Sequence, residues 1–318
     1  MAFAEKLIRW QRRHGRRNLP WQGTRDPYRI WLSEVMLQQT QVSAVIPYYE
    51  RFLRRFPTVA ELAAASEEEV LELWSGLGYY ARGRNLHRAA RQMAATGFPR
   101  TAEALAELAG VGRSTAAAIA AFAYGERGAI LDGNVKRVLA RAFAVSDAKA
   151  LWPLAERLLP KRGIETYTQA LMDLGATVCT RLNPRCERCP VSDACKARKQ
   201  KRIAELPAPR ARRELPQREV TWLVLRHDDA VLVERRPSPG IWGGLWCPPE
   251  FAGRKPAGAK ALAPIEHGFT HYRLRIKPLL CDVQERKAGR WLRLEDAGAA
   301  ALPAPVKALL ARLREGAQ

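Results

Sequence analysis

Four of the six cysteines fall within 17 residues, as Cys179-x6-Cys186-x2-Cys189-x5-Cys195. Thiolates are soft ligands, and four of them on one short loop suit zinc or an iron–sulfur cluster. Zinc ribbons usually pair two short knuckles, whereas only one two-residue gap occurs here. The N-terminal segment MAFAEKLIRW has no secretory character, so the protein is expected to be cytoplasmic, where such a cluster points to metal rather than to disulfides. Arg181, Arg185, Arg188 and Lys196 would project from a platform pinned by that metal. Cys247 and Cys281 stand alone and read as small hydrophobes.

Two carboxylates have settings that could serve chemistry. Glu34 follows Ile30 and Trp31 by four and three residues and precedes Leu37 and Gln38 by three and four. On a helix these share one largely apolar face, and burial there raises a carboxyl's pKa towards the range of a general acid. Asp132 opens the segment NVKRVLAR, where an ordinary aspartate would be a helix N-cap. Some 20 residues earlier lies Leu108-Ala109-Gly110-Val111-Gly112. Glycines there permit a sharp turn, and the helix that follows begins with free N–H groups able to meet a phosphate.

The elements that must position these residues are helical up to about 195. Asp26-Pro27 is an N-cap followed by proline at the first helical position, opening a helix through about Gln39. Thr58 with Glu61, and Ser66 with Glu69, have capping-box spacing. Further helices are expected near 85–95, 102–109, 113–124, 134–143 and 165–178. Residues 196–218 hold nine Lys or Arg, two Glu and three Pro, and read as an exposed basic linker. Alternating segments at 220–226, 230–236, 269–277 and 279–285, with a short helix near 304–314, then make a separate α+β domain over 219–318. Fifty-three Lys and Arg against 32 Asp and Glu give a net charge of +21 over 318 residues, which points to nucleic acid as the partner. The longest apolar run is far too short to cross a bilayer.

Taken together, the hairpin, LDGNVKRVLAR, the WLSEVMLQQTQV segment and the cysteine spacing resemble the MutY family of adenine DNA glycosylases, within the endonuclease III superfamily. The resemblance implies an all-α helix-hairpin-helix region with a [4Fe–4S] loop over 1–195, followed by a small Nudix-like α+β domain that reads 8-oxoguanine. It implies monomeric action on double-stranded DNA containing A:8-oxoguanine or A:G mispairs in a bacterial nucleoid. Cys179, Cys186, Cys189 and Cys195 would hold the cluster. Adenine leaves poorly unless protonated, and its departure leaves a cationic sugar, a demand that glycosidases meet with an acid and a carboxylate. Glu34 is then the acid, and afterwards helps activate water. Asp132 stabilises the sugar cation, and Asn134 orients Asp132 or the water. Holding an ordinary Glu protonated at pH 7 costs about 3.7 kcal/mol, which burial lowers.

Bifunctional relatives carry a lysine nucleophile at the position of Ser114. No amine stands there in this chain, so hydrolysis by water is expected. The extruded adenine would lie against Arg17, Leu19, Trp21 and Gln22. Gln39, Thr40, Leu77 and Tyr79 match positions that wedge into the duplex, and Gly110, Gly112 and Ser114 form the hairpin that meets the phosphate. Thr270 and His271, after Phe269, occupy the loop that probes 8-oxoguanine. PGIWGGLWCPPEF, 239–251, resembles the Nudix-like domain, but Glu250 and Glu266 are the only acids between Arg236 and Thr270. That domain should therefore bind rather than hydrolyse, and its stretch 252–265 is short enough to question one helix. An endonuclease III-like glycosylase/lyase for damaged pyrimidines and a non-catalytic iron–sulfur DNA-binding protein are the alternatives.

Overall fold

The computed structural model describes residues 2–208, 214–238 and 240–315. Arg212 and Arg213 of the expected linker, and Pro239 at the head of the Nudix-like segment, lie outside the described residues. The chain divides into two compact units, Met1–Ala63 with Arg88–Ala211 and Ala64–His87 with Arg212–Gln318.

The helices run in chain order as α1 Phe3–His14, α2 Pro27–Leu37, α3 Val42–Arg55, α4 Val59–Ala64, α5 Glu67–Trp74, α6 Ala81–Thr96, α7 Ala102–Ala106, α8 Arg113–Tyr124, α9 Gly133–Phe143, α10 Leu151–Arg157, α11 Ile164–Thr177 and α12 Lys196–Lys199, with α13 Ala304–Glu315 near the end. None of the described helices is long and apolar enough to cross a membrane.

Local signals explain the starts. Asp26 accepts from the N–H of Tyr28 at 2.9 Å with Pro27 in the first turn, so α2 begins where the N-cap reading put it. Ser66 caps α5 through the N–H of Glu69. The core of the first unit is built on alanine-rich α8, whose Ala116–Ala121 are all buried, packed with α9, α11 and Leu7 of α1. Small side chains on α8 let neighbouring helices approach closely. At Gly175 of α11 an added Cβ would lie 2.6 Å from Asn134 Cβ, so that crossing with α9 requires glycine.

The second unit contains a seven-stranded sheet. Its strands are β1 Gln217–His227, β2 Ala230–Arg235, β3 Trp246–Cys247, β4 Lys260–Ala261, β5 Ile265–Gly268, β6 Arg273–Asp282 and β7 Arg290–Arg293. The path is β3-β2-β1-β6-β4, with β5 also on β6 and β7 on β2. The β1–β6 pair is parallel, with Gln217 opposite Arg273 and Arg226 opposite Asp282, and the other pairs are antiparallel.

Several expectations are corrected. The segments 269–277 and 279–285 are not two strands: residues 269–272 form the turn from β5, and one strand, β6, runs through Pro278. Proline survives there because its carbonyl accepts from Leu262 N–H at 3.0 Å, so its nitrogen faces the junction between β5 and β4, where no donor is required. Residues 251–259 contain no helix, as the short segment suggested. The stretch from 196 is not exposed throughout. It begins with α12, Ala197 and Leu206 are buried, and Arg141 holds the carbonyls of Ile203 and Leu206 at 3.1 and 2.8 Å. Finally, residues 64–87 pack with the sheet unit. Leu71 joins its core, Ser75 and Tyr80 hydroxyls donate to Leu302 O, and Trp246 Nε1 donates to Glu68.

Candidate active site and cluster loop

Helix α2 is buried on nearly every side: Ile30, Trp31, Leu32, Ser33, Val35 and Met36 are all in the core. A helix so enclosed leaves no solvated face for its one acid. Glu34 is half-buried, and no hydrogen bond reaches its carboxyl among the described residues. Burial first, and the nearby carboxylate of Asp132 second, push its pKa up to about 8. Glu34 lines a cavity of about 580 Å³ with Arg17, Trp21, Gln22, Arg25 and Gln169. Of the expected pocket wall, Arg17, Trp21 and Gln22 thus face the same space as Glu34. Trp21 is buried edge-on against Tyr49, at 5.3 Å between centroids. Leu19 supports that wall from the backbone, since its N–H donates to Gln22 Oε1 and its carbonyl accepts from Gln22 N–H.

Asp132 is the N-cap of α9 and lies near enough to Glu34 to raise its pKa. Its Oδ1 accepts from Val135 N–H at 2.7 Å and caps α9, while its charge is felt at Glu34. Asn134 Oδ1 accepts from Arg137 at 2.8 Å, so the hydrogen bond found for this side chain runs to Arg137 rather than to Asp132.

The hairpin is held to both carboxylate helices. Gly110 has φ of 79°, a conformation natural to glycine, and Gly112 caps α8 with no side-chain acceptor, leaving the first-turn N–H groups open. Gln38 Nε2 donates to Gly110 O and Thr115 Oγ1. Ser114, where a lyase would carry its amine, instead accepts from Leu131 N–H at 2.9 Å, one residue before Asp132. Gln39 ends the α2 segment with φ of 56°, a strained conformation for a residue with a side chain, and Thr40 follows it, half-buried.

Within the second unit, Tyr79 also has positive φ, 49°, between Gly78 and the start of α6, and is 50% exposed. Arg82 lies 5.4 Å from its ring centroid. Leu77, expected to wedge with it, is buried at 7% exposure, so only Tyr79 of the two presents a surface. Thr270 and His271 are exposed at the β5–β6 turn, whose base is set by Phe269 stacked on Tyr272 at 4.6 Å. Arg236 pairs with Glu250 and Arg275 with Glu266, so the two acids of the Nudix-like segment are each neutralised by an arginine.

The four loop cysteines line one small cavity with Arg141 and Arg198. Burial, aided by the thiols around it, holds the Cys189 thiol up at about 12, and Cys186 is raised for the same first reason. Four thiols converging on a shared cavity fit a cationic cluster that spans them. Two arginines that the sequence reading passed over tie this loop to the active-site helix. Arg137 Nε donates to Cys179 O at 2.7 Å and its Nη2 to Gly175 O at 2.7 Å. Arg141 donates to Thr180 O and to Cys179 Sγ, and its own carbonyl accepts from Cys195 Sγ. Their signal was the i, i+4 spacing in VKRVLAR, which puts both on one face of α9.

Residues 32–160 match the HhH-GPD superfamily of base excision DNA repair proteins, residues 179–195 the iron–sulfur binding domain of endonuclease III, and residues 220–312 the NUDIX domain. The loop is accordingly an iron–sulfur loop, and its cofactor is a [4Fe–4S] cluster. A thermostable thymine-DNA glycosylase of known structure is 31% identical, with a TM-score of 0.58, over 62% of this chain and 95% of that one. An endonuclease III–DNA complex, 21% identical with a TM-score of 0.54, shares the fold of the same 62%. The human adenine DNA glycosylase is 45% identical over 62% of this chain and 39% of its own length. That of Buchnera aphidicola is 32% identical over 99% of this chain and 97% of its own, so the likeness runs through both units: this chain belongs to the adenine DNA glycosylase family.

Proposed function

We propose that this chain is a monofunctional DNA glycosylase that hydrolyses the N-glycosidic bond of adenine mispaired with 8-oxoguanine, and of adenine opposite guanine. One observation carries this reading: a carboxyl raised to about 8 faces a cavity roomy enough for an extruded nucleotide and feels a second carboxylate that caps the next functional helix. At neutral pH a Glu34 of that pKa is mostly protonated. It delivers its proton to the departing adenine and, once ionised, takes a proton from the attacking water. Asp132 remains beside the sugar as positive charge develops there. With Ser114 engaged at Leu131 N–H and no amine at that position, the chain has no Schiff-base route from the hairpin.

The cluster loop supports a binding role. Cys179, Cys186, Cys189 and Cys195 would hold the [4Fe–4S] cluster, which supplies a rigid, charged anchor for the basic loop. Through Arg137 and Arg141 the loop is fastened to α9. The open N–H groups at Gly112 and the arginines of the loop suit phosphates, which position the protein without reading sequence.

In this reading residues 1–195 carry catalysis, 196–218 follow the backbone, and 219–318 read the lesion through Thr270 and His271. Tyr79, Thr270 and His271 belong to one compact unit, which supports a shared role at 8-oxoguanine. The protein acts as a monomer in the cytoplasm, on the nucleoid. A single-turnover assay on an A:8-oxoguanine duplex, with borohydride trapping alongside, tests the proposal. Adenine release without a trapped adduct is expected. Strand cleavage with a covalent adduct would overturn it in favour of a lyase, and binding without release would reduce it to a DNA-binding protein.

A further inference from the structure

We propose that Asp173 is the positioning residue of the adenine pocket, fixing Arg16, Gln11 and Gln169 so that the wall carrying Arg17 to Gln22 faces Glu34. The inference rests on the function proposed above. Asp173 lies in α11 with no exposed surface. Its Oδ1 accepts from Arg16 Nε at 2.7 Å and Gln169 Nε2 at 2.9 Å and lies 2.6 Å from Arg16 Nη2. Its Oδ2 accepts from the backbone N–H of Arg16 at 2.9 Å and from Gln11 Nε2 at 3.0 Å. Gln11, Arg16 and Gln169 all line the cavity that contains Glu34, while Asp173 itself does not.

Packing alone cannot set this wall. A second cavity, of about 460 Å³, lies on the far side and is lined by Trp10, His14, Arg16, Asp173 and Cys189. Arg16 therefore has space on two sides, and its direction depends on hydrogen bonds. The backbone follows suit. An added Cβ on Gly15 would come 2.1 Å from the side chain of Gln11, so Gln11 is folded against the chain at Gly15 while it donates to Asp173. The donor at Arg16 N–H then fixes the Gly15–Arg16 peptide, one residue ahead of Arg17. A fully buried carboxylate is costly unless every oxygen is well served, and an apolar residue of like size would stabilise α11 as well or better. What the charged hub adds is direction: three cavity-lining side chains held to one point.

The test compares wild type with Asp173→Asn in the full chain carrying its cluster. Active-site titration separates the fraction of working enzyme from the rate constant of each site. Per active site, excision from A:8-oxoguanine is expected to fall about 100-fold, the loss typical of a reacting group misplaced by an ångström. Affinity for a duplex with uncleavable 2′-fluoro-2′-deoxyadenosine opposite 8-oxoguanine should fall about tenfold, while affinity for the same duplex with a baseless tetrahydrofuran stays within about twofold. A merely structural role would lower the active fraction and weaken both duplexes alike. Equal losses on the two duplexes, or a rate constant per site within about threefold of wild type, would overturn the proposal. Should Asp173→Asn fail to fold, Arg16→Lys retains the charge and the backbone N–H but loses the Nε contact. It should show the same split at smaller size, and equal losses there would be equally fatal. A wild-type chain that releases no adenine would instead sink the proposed function itself.

Discussion

Glu34 in the helical unit and the acids around the Nudix-like segment of the sheet unit are treated in opposite ways. In the helical unit Glu34 sits on an otherwise apolar helix, no hydrogen bond or ion pair on its carboxyl is found among the described residues, and its pKa rises to about 8. In the sheet unit Glu250 is matched to Arg236 at 2.6 Å, Glu219 to Lys277 at 2.6 Å and Glu266 to Arg275, and Glu68 of α5 pairs with Arg290. An acid that works must be free to gain and lose a proton near neutral pH, so it is left unmatched and half-buried. Matched acids hold a surface still, which is what recognition asks of a binding domain. The Nudix sequence match over 220–312 thus coexists with two acids, Glu250 and Glu266, that are each paired with an arginine.

The largest expected effect removes the unmatched acid. Glu34→Gln keeps the shape and cannot deliver a proton, so single-turnover adenine release should fall by about 10³-fold or more, with binding of the lesion duplex retained. Release within tenfold of wild type would put the acid elsewhere.

The second prediction uses pH. Excision needs Glu34 protonated, so its single-turnover rate should fall above about pH 8, by roughly tenfold per pH unit, and Glu34→Gln should abolish that limb. Stability has the matching sign. Glu34 is protonated in the folded chain up to about 8 but ionises near 4.5 when unfolded, so the unfolded state binds fewer protons between those values. Stability contributed by this group is thus intact below pH 4.5 and declines as pH rises to about 8. Thermal melts should show Glu34→Gln gaining on wild type across that window; parallel melting curves would mean that Glu34 is ionised when folded.

The third prediction concerns the exposed β5–β6 turn. Thr270→Val keeps shape and deletes a hydroxyl, so excision from A:8-oxoguanine should drop about 5- to 150-fold, as for one lost base contact, with A:G affected less. Thr270→Ser should be nearly neutral. Equal losses on both mispairs would make the sheet unit a general clamp.

The smallest effect is expected where acids are matched and partly exposed. With Glu250 and Arg236 side chains 47% and 21% exposed, Glu250→Gln should change stability by only about 0–1 kcal/mol and leave excision alone. A large loss of excision, or detection of metal-dependent pyrophosphate cleavage in wild type that Glu250→Gln removes, would break the contrast between the units.

Much of the site was legible along the chain because its parts are local. The Asp26-Pro27 start, the apolar spacing around Glu34, the glycines of the hairpin and the cysteine intervals are all set by residues within a few turns of each other, and the structure has α2, α8 and α9 where those signals put them. Strand propensity likewise found β1 and β2. It split β6 at Pro278 because a proline inside a strand is tolerated or not according to which neighbour its nitrogen faces, and it began that strand four residues early, in the turn from β5.

What only the tertiary structure decided are pairings across long sequence separations. Asp173 meets Arg16 across 157 residues, Arg137 reaches Cys179 O across 42, and Ser75 meets Leu302 O across 227. No local pattern encodes which of many arginines finds a given carboxylate, since that depends on where the helices carrying them come to pack. The same holds for the raised pKa of Glu34. Its apolar helix face was readable in sequence, but the loss of water around its carboxyl and the approach of Asp132 arise only once α2 packs against α8, which shares a core with α9.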